Sequence, residues 1–308
     1  MPQILFYESM LQPRQVDEDY TAEAAAARAA GMDIHLLDWS ALVDAGDVTR
    51  AVRRVPEQTH PTLAVLRGSM LRVETYAQLY AALLVRGVRL IADPAAYEHT
   101  HHLPASLDLI AEMTPLTVVH PLSAGASLSL DRLAELLQPF GDGPIIVKDY
   151  VKSRKHEWTE ACFIPNAADT EAAARVIQTF CGRQGGDLVG GLVFRAFEPF
   201  VAVGTHPRSG TPLTKEYRLW WLDGTCIAAI PHWDEVAYHG DGPPIAHFAN
   251  VARLVCSRFF TMDVAERTDG IWRIVELGDG QVAWADAQVD LAAFYAALAA
   301  IQYPTRPS

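Results

Sequence analysis

The sequence predicts an α/β unit followed by an α+β region, and three observations carry that expectation. Up to residue 93, apolar runs alternate with amphipathic helical stretches, the pattern of a parallel, doubly wound sheet. Near the end, two turn signals, Asp223-Gly224 and Thr268-Asp269-Gly270, each separate runs rich in β-branched and aromatic residues, as in antiparallel hairpins. The 308-residue chain is 50% hydrophobic and 20% charged, an ordinary globular composition able to bury a large core.

Ile4–Tyr7 is the first apolar run. Asp17-Glu18-Asp19 then precede an Ala-rich segment that stops at Gly31, which describes a helix with acids at its positive end and glycine past its last turn. Asp33–Leu37 and Thr62–Leu66 are predicted strands, Val73–Arg86 an amphipathic helix ended by Gly87, and Val88–Ile91 a fourth strand before Asp93-Pro94. No GxGxxG opens these helices, so nothing in residues 1–93 demands a dinucleotide. Leu116–His120 is the next strand, Asp131–Gln138 a helix, Gly143–Lys148 a strand running into a lysine, Thr170–Cys181 a helix and Leu188–Ala196 a strand. Gly204–Thr214 and Pro231–Pro244 are expected as surface loops, the first of them mobile. They flank a hairpin of Lys215–Leu222 and Thr225–Ile230. A helix at Ile245–Arg258, a second hairpin within Thr261–Gln281 and an apolar helix at Gln288–Ile301 complete the chain.

Charge narrows the function classes. With 25 basic against 37 acidic residues the formal net charge is −12, which argues against a nucleic acid as the main partner. Cys162, Cys181, Cys226 and Cys256 form no CxxC pair, arguing against a zinc ribbon or disulfide scaffold and for a reducing cytoplasm. The N-terminal residues lack the pattern of a signal peptide, and no apolar run is long enough to span a bilayer.

The densest chemistry lies in Thr261–Gln281. Asp263 and Glu276 fall on neighbouring strands if the hairpin forms, and by the period of two Glu276 shares a face with Trp272 and Ile274. A lone carboxylate on an apolar face would protonate or find a cation. Two such acids can share Mg²⁺, a hard ion that takes oxygen ligands and keeps room for phosphates. The alternative is that both are solvated or paired with Arg267 or Arg273. Lys148 and the basic run Asp149–Lys155 offer convergent positive charge for a phosphate, with Lys148 and Lys152 on one side, or else a solvated loop. Glu98-His99-Thr100-His101-His102 carries a His-x-His beside an acid, a zinc-binding pattern, or else a polar helix or loop near a ligand.

In chain order, a strand ending in Lys148, a strand ending at Glu198, a hairpin with Glu216 and Arg218 and a hairpin with Asp263 and Glu276 together resemble the ATP-grasp superfamily of ligases. The resemblance covers the C-terminal two thirds best, in order and residue type more than in exact motifs. It implies a Rossmann-like N-terminal domain, residues 1–93, before an ATP-grasp region, 94–308, whose two α+β subdomains, 94–195 and 196–308, sandwich ATP. It puts Lys148 in PIIVKDYVKS on the ATP phosphates. Around VFRAFEPF it puts adenine on the backbone of Arg195, Ala196 and Phe197, and the ribose on Glu198. KEYRLWWLDG resembles the family's acid-x-Arg strand, with Glu216 beside Arg218 and Arg218 facing the phosphates or the acyl-phosphate. Asp263 and Glu276 then resemble the family's Mg²⁺ ligands.

Three departures go with the resemblance. Gly278 stands where many members have asparagine, leaving Asp279, Gln281 or water for a second metal. DYVKSRKHEW replaces the glycine-rich phosphate loop, so Lys152, with Arg154 or Lys155, takes over charge neutralisation. The family's earlier lysine would fall near His101 and His102, where no lysine is present.

The resemblance implies an ATP- and Mg²⁺-dependent ligase that phosphorylates a small-molecule or peptide carboxylate and joins it to an amine or thiol, with Arg218 and Lys152 as catalytic residues. A cytoplasmic homodimer is the expected setting. Two other readings stay open: a nucleotide-binding kinase or regulatory protein without ligation, and a metal hydrolase built on His99, His101 and His102.

Overall fold

The computed structural model describes residues 2–205, 212–285 and 288–302. Strands β1 (Gln3–Tyr7), β2 (Asp33–Leu37), β3 (Thr62–Arg67) and β4 (Val88–Leu90) form a parallel sheet in the order β2-β1-β3-β4, joined through helices α1 (Thr21–Ala29), α2 (Val48–Ala51) and α3 (Val73–Val85). β1 is buried along its whole length because both its faces are covered. Ile4 and Phe6 pack with Ala24, Ala27 and Tyr295, while Leu5 and Tyr7 pack with Leu79 and Leu83. A strand covered on both faces has no polar side, which is why the run is continuous rather than alternating.

Helices α4 (Pro94–His101) and α5 (Leu103–Ile110) follow. Asp93 caps α4 by accepting from the Ala96 N–H, and Pro94 occupies the first turn, where no N–H is needed. Strands β5 (Thr117–Pro121), β6 (Ile145–Lys148), β7 (Phe163–Ile164) and β8 (Gly191–Ala196) build a second, antiparallel sheet in the order β5-β8-β6-β7, accompanied by α6 (Leu130–Leu137), α7 (Trp158–Ala161) and α8 (Thr170–Gln184). Ile145, Val147, Leu192 and Phe194 pack with Leu133, Ile177 and Phe180 from the helices. Alternation then turns Lys148 and Arg195 to the other face.

β9 (Ala202–Thr205) and β10 (Pro212–Thr214) pair as an antiparallel ribbon at the ends of the expected mobile loop, whose residues 206–211 lie outside the described residues. A third sheet contains β11 (Glu216–Leu222), β12 (Thr225–Pro231), β13 (Phe259–Glu266) and β14 (Trp272–Asp279) in the order β12-β11-β13-β14, all antiparallel. Its first hairpin turns on Asp223 at φ 47° and Gly224 at φ 75°, the left-handed pair that a two-residue turn needs. One face packs on α5 and on α9 (Ile245–Leu254) through Leu219, Trp221, Met262 and Phe248. The opposite face carries Glu216 and Arg218 and then Trp220 and Leu222, which enter a core shared with β1, α1 and α10 (Leu291–Ala299).

The expected face of Glu276 is corrected by a β-bulge. Val264 opposes Ile274 but Asp263 opposes Glu276, so Val275 is an extra residue. Ile274 and Leu277 thereby share the apolar core, and Glu276 is turned away from it. Beyond β14 the chain is locked to the first sheet by a buried polar network. Arg67, fully buried, donates through Nε to Glu23 at 2.8 Å and through Nη1 to the Gly280 carbonyl at 2.6 Å. Tyr295 donates to Glu23 at 2.5 Å, and Gln281, also fully buried, donates to Tyr76 at 2.8 Å and accepts from the Leu66 N–H at 3.2 Å. With every partner supplied, a desolvated charge pair is tolerated; removing one member would leave the other exposed to the full cost.

Candidate active site

A cleft of about 280 Å³ opens where β6, α4 and the third sheet meet, with Lys148, His101, Arg218, Asp263 and Glu276 in its walls. The strand registers assemble it. Arg218 opposes Asp263 across β11 and β13, and Asp263 opposes Glu276 across β13 and β14. Arg218 donates through Nε at 2.8 Å and Nη2 at 2.7 Å to the two oxygens of Asp263, a bidentate pair. Lys148, at the end of β6, reaches from the second sheet to the third and donates to Glu276 at 2.9 Å. The site thus holds two acid–base pairs side by side, one within a sheet and one between sheets.

The surrounding cations keep Glu276 ionised. Crowding works against its carboxylate, but Lys148, Lys155 and Arg218 outweigh it and draw the pKa down to about 2. Crowding likewise opposes the charge of Lys155, yet Glu216, Glu276 and Asp263 hold its ammonium above the ordinary value. Asp279 is the exception. Only 1% exposed, it is pushed up to about 7 by burial, against the Gln281 N–H and side-chain amide that favour its charge. Its Oδ2 has no hydrogen-bond partner within the fold. His101 stacks on Tyr97 at 4.9 Å between centroids, and burial followed by the charges of His102, Lys152 and Lys148 lowers it to about 4. It is a neutral imidazole in the cleft wall.

Asp149 shapes the basic run. Fully buried, it accepts from the Val151 N–H at 2.8 Å and the Lys152 N–H at 2.6 Å through Oδ1, and from Gln184 at 2.8 Å through Oδ2. The chain folds back so that Ser153 bridges to Lys148, and Lys152 is left exposed. Arg154 leaves the cleft to pair with Glu157 and Gln184. On the far side, Glu216, His232 and Asp263 bring ligand atoms within 4.8 Å of one another.

Residues 139–298 match the model of an ATP-grasp domain family, family 3 of its clade. The chain belongs to this ATP-grasp family. No curated protein matches it. Solved structures share its fold: D-cycloserine synthetase DcsG has a TM-score of 0.59 at 16% identity, over 96% of this chain and 98% of its own. The ATP-grasp ligase PsnB, complexed with minimal precursor, Mg and ADP, has a TM-score of 0.57 at 15% identity, over 96% of each chain. D-alanine–D-alanine ligase from Bacillus anthracis, complexed with ATP, has a TM-score of 0.53 at 13% identity, over 91% of this chain and 84% of its own.

In this ATP-grasp protein the expected residues divide into two groups. Lys148, Glu216, Arg218, Asp263 and Glu276 converge, with Lys155 in their field. Arg195 and Glu198 are held elsewhere. Arg195 is 4% exposed and ties β8 to β14, donating to the Val275 carbonyl at 2.6 Å and to Thr114 at 2.7 Å. The Ala196 and Phe197 N–H groups are satisfied by the Leu116 and Pro144 carbonyls. Glu198 pairs with Arg267 at 3.3 Å and Arg273 at 3.2 Å. Those are the arginines that the alternative reading assigned to Asp263 and Glu276.

The histidine metal reading is overturned by geometry. Among the described residues, Glu216, His232 and Asp263 are the only set of three or more whose ligand atoms converge. His99, His101 and His102 do not: His101 lies on Tyr97, and His102 stands 3.8 Å from Glu98. Gln281, expected as one choice for a second metal, is committed to Leu66 and Tyr76. The opposed carboxylates of Asp263 and Glu276 have the oxygen chemistry of a hard divalent ion, and Asp279, with an unpartnered oxygen, borders the same cleft without joining them in a convergent set. Neither Glu276's link to Lys148 nor the bulge that aims it has a signature in residue spacing. Among the described residues, no helix is long and apolar enough to cross a membrane.

Proposed function

We propose that the protein is an ATP- and Mg²⁺-dependent ligase that activates a substrate carboxylate as an acyl-phosphate and joins it to an amine or another nucleophile. One observation carries this reading: Lys148 and Arg218 converge on Glu276 and Asp263 at a cleft bordered by two antiparallel sheets, with the charge of Lys155 acting on the same acids. Residues 1–93 then form an N-terminal domain, and 94–195 and 196–308 the halves between which the nucleotide lies.

Asp263 and Glu276 would hold the ion, and Asp279 Oδ2 would be available to a second one. Mg²⁺ bound there would supply neutralisation of the phosphate charge. Lys148 and Lys155 bind the phosphates, Lys152 closes over them from its exposed turn, and Arg218 faces the transferred group, where a planar guanidinium suits paired oxygens. Within the fold the same cations and acids satisfy one another. Binding would then exchange partners rather than uncover Lys148 and Arg218. Phe197, 42% exposed and within 5.2 Å of Phe163 and 5.7 Å of Trp158 between centroids, offers an apolar wall for the base. Glu198 would have to release Arg267 and Arg273 to reach a ribose.

The test is ADP release in the presence of Mg²⁺ across panels of carboxylates and amines, with products followed by mass. ADP formed one-to-one with a condensed product is the expected result. ADP together with a phosphorylated compound but no condensed product would replace ligation with kinase chemistry.

A further inference from the structure

The face of the third sheet that carries Arg218 holds a second group of donors. Glu216 stands two residues along β11 from Arg218, on the same face. Its neighbour on β13 is Ala265, whose side chain ends at a methyl. Its neighbour on the other side is His232, just past the end of β12, whose N–H donates to the Glu216 carbonyl at 2.8 Å. Residues opposite or diagonal to one another across antiparallel strands meet above the sheet. Glu216, His232 and Asp263 do so, and one ligand atom of each lies within 4.8 Å of the other two. Opposite ligands around an ion with bonds of about 2.1 Å are ~4.2 Å apart, so a small inward adjustment closes the three on an ion.

The imidazole is held in place. Trp233 packs edge to face on His232 at 4.6 Å, the Trp233 N–H donates to the Tyr238 hydroxyl at 3.3 Å, and that hydroxyl donates to the Thr214 carbonyl at 3.2 Å. Independently of the convergence, Glu216 is short of partners. It is 4% exposed and forms no ion pair among the described residues. Its carboxylate accepts one long hydrogen bond there, 3.4 Å from the Thr214 hydroxyl. Lys155 and Arg218 act on it through the field alone. A carboxylate buried in this way calls for a cation within bonding distance. Asp263 can serve while paired, because each carboxylate oxygen has two lone pairs and Arg218 uses one on each. An imidazole beside two carboxylates suits Mn²⁺ better than Mg²⁺, which favours oxygen alone.

We infer that Glu216, His232 and Asp263 form a separate metal site, selective for Mn²⁺ over Mg²⁺, on the side of Asp263 away from Glu276. The site goes beyond the ligase reading and does not need it. The ion ties the start of the segment after β12 to the two central strands of the sheet. The guanidinium beside Asp263 weakens its hold, so the metal exchanges with solution.

The experiment titrates Mn²⁺ into the full chain in excess Mg²⁺, with free Mn²⁺ read by electron paramagnetic resonance and the bound ion by its pulsed form. One equivalent of Mn²⁺ is expected to stay bound, coupled to an imidazole nitrogen. His232→Ala should abolish the nitrogen coupling and weaken Mn²⁺ by about tenfold or more. Glu216→Gln keeps an acceptor for Thr214 and should weaken Mn²⁺ by a similar factor, a second variant that leaves the histidine in place. Glu276→Gln, which strips an acid from the proposed Mg²⁺ pair, should leave the nitrogen-coupled Mn²⁺ intact. Mn²⁺ fully displaced by Mg²⁺, Mn²⁺ bound without nitrogen coupling, or coupling that survives His232→Ala overturns the inference. ADP release with Mg²⁺ is measured separately. Its absence strikes the ligase reading, and the Mn²⁺ signal still decides this site.

Discussion

Asp279→Asn gives the sharpest test of how the cleft is built. Asp279 is 1% exposed, and burial raises its pKa from 3.8 to about 7, the Gln281 N–H and amide and the charge of Arg67 only partly opposing this. An acid whose folded pKa is raised favours the fold while it is protonated. Its contribution is full below about 3.8 and is lost as pH rises through about 7. The gap is roughly three decades of proton affinity at about 1.4 kcal/mol each, on the order of 4 kcal/mol, with no discount for screening because the group is buried. Asparagine matches the protonated acid in shape, keeps an acceptor for the Gln281 N–H, and does not titrate. Urea unfolding of both proteins in EDTA, from pH 4.5 to 8, therefore has a defined expectation. Wild type should lose stability relative to the variant as pH rises, by a few kcal/mol in total. Adding Mg²⁺ at pH 8 should restore wild type more than the variant, because only the carboxylate gains from the ion. A stability difference that is flat across this range, or that grows with pH in favour of wild type, would refute the argument that burial holds this carboxyl neutral.

Other substitutions separate chemistry from scaffold. Glu276→Gln should reduce ADP release by at least about a hundredfold while lowering the melting temperature only slightly, since its carboxylate is 40% exposed and its pair with Lys148 is screened by solvent; normal turnover would remove Glu276 from the ion's ligands. Arg218→Lys keeps the charge but loses the two-point grip on Asp263, and should cost roughly 1–2 kcal/mol in chemical denaturation along with most of kcat. Tyr295→Phe strips the hydroxyl from Glu23 beside the buried Arg67 and should destabilise by about 1–3 kcal/mol without altering the KM for ATP. Elemental analysis after purification should find no stoichiometric zinc, whether or not His101 is replaced.

What the sequence disclosed depended on whether an element's partners were local. The continuous apolar run at Ile4–Tyr7, the Ala-rich helix that stops before Gly31 and the Asp223-Gly224 turn are set by neighbours along the chain, and each was legible in residue order, although Asp17 caps a short 3-10 turn ahead of that helix and not the helix itself. The hairpin carrying Asp263 and Glu276 was legible too, but its facing was not. Counting by twos placed Glu276 with Ile274, and the extra residue at Val275 reverses that, since a bulge responds to the packing of Leu277 and not to any turn residue. Long-range polar contacts were hidden for the same reason. Glu198 has the residue type expected of a ribose ligand, yet in the fold two arginines from the neighbouring hairpin reach it. Arg195 was marked for its backbone, while its side chain became the strut between β8 and β14. Asp149, the first residue of the basic run, is the buried group around which that run turns, a role that residue order does not signal.

These long-range pairs also balance the charge of the cleft from within the fold. Lys148 and Arg218 each have an acid at hydrogen-bond distance, and both acids come from the single hairpin β13–β14. Lys148 is the one link of the two that crosses between sheets. Its contact with Glu276 therefore reports the separation of the sheets, whereas the Arg218 pair, internal to one sheet, is indifferent to it. On the proposed reading, a phosphate drawing Lys148 away would loosen that cross-sheet link while leaving the Arg218 pair intact. Arg195, joined to the Val275 carbonyl next to Glu276, limits how far the sheets can part when that happens. The bulge residue thus serves twice: its insertion turns Glu276 toward the cleft, and its carbonyl anchors the strut that keeps the second sheet within reach.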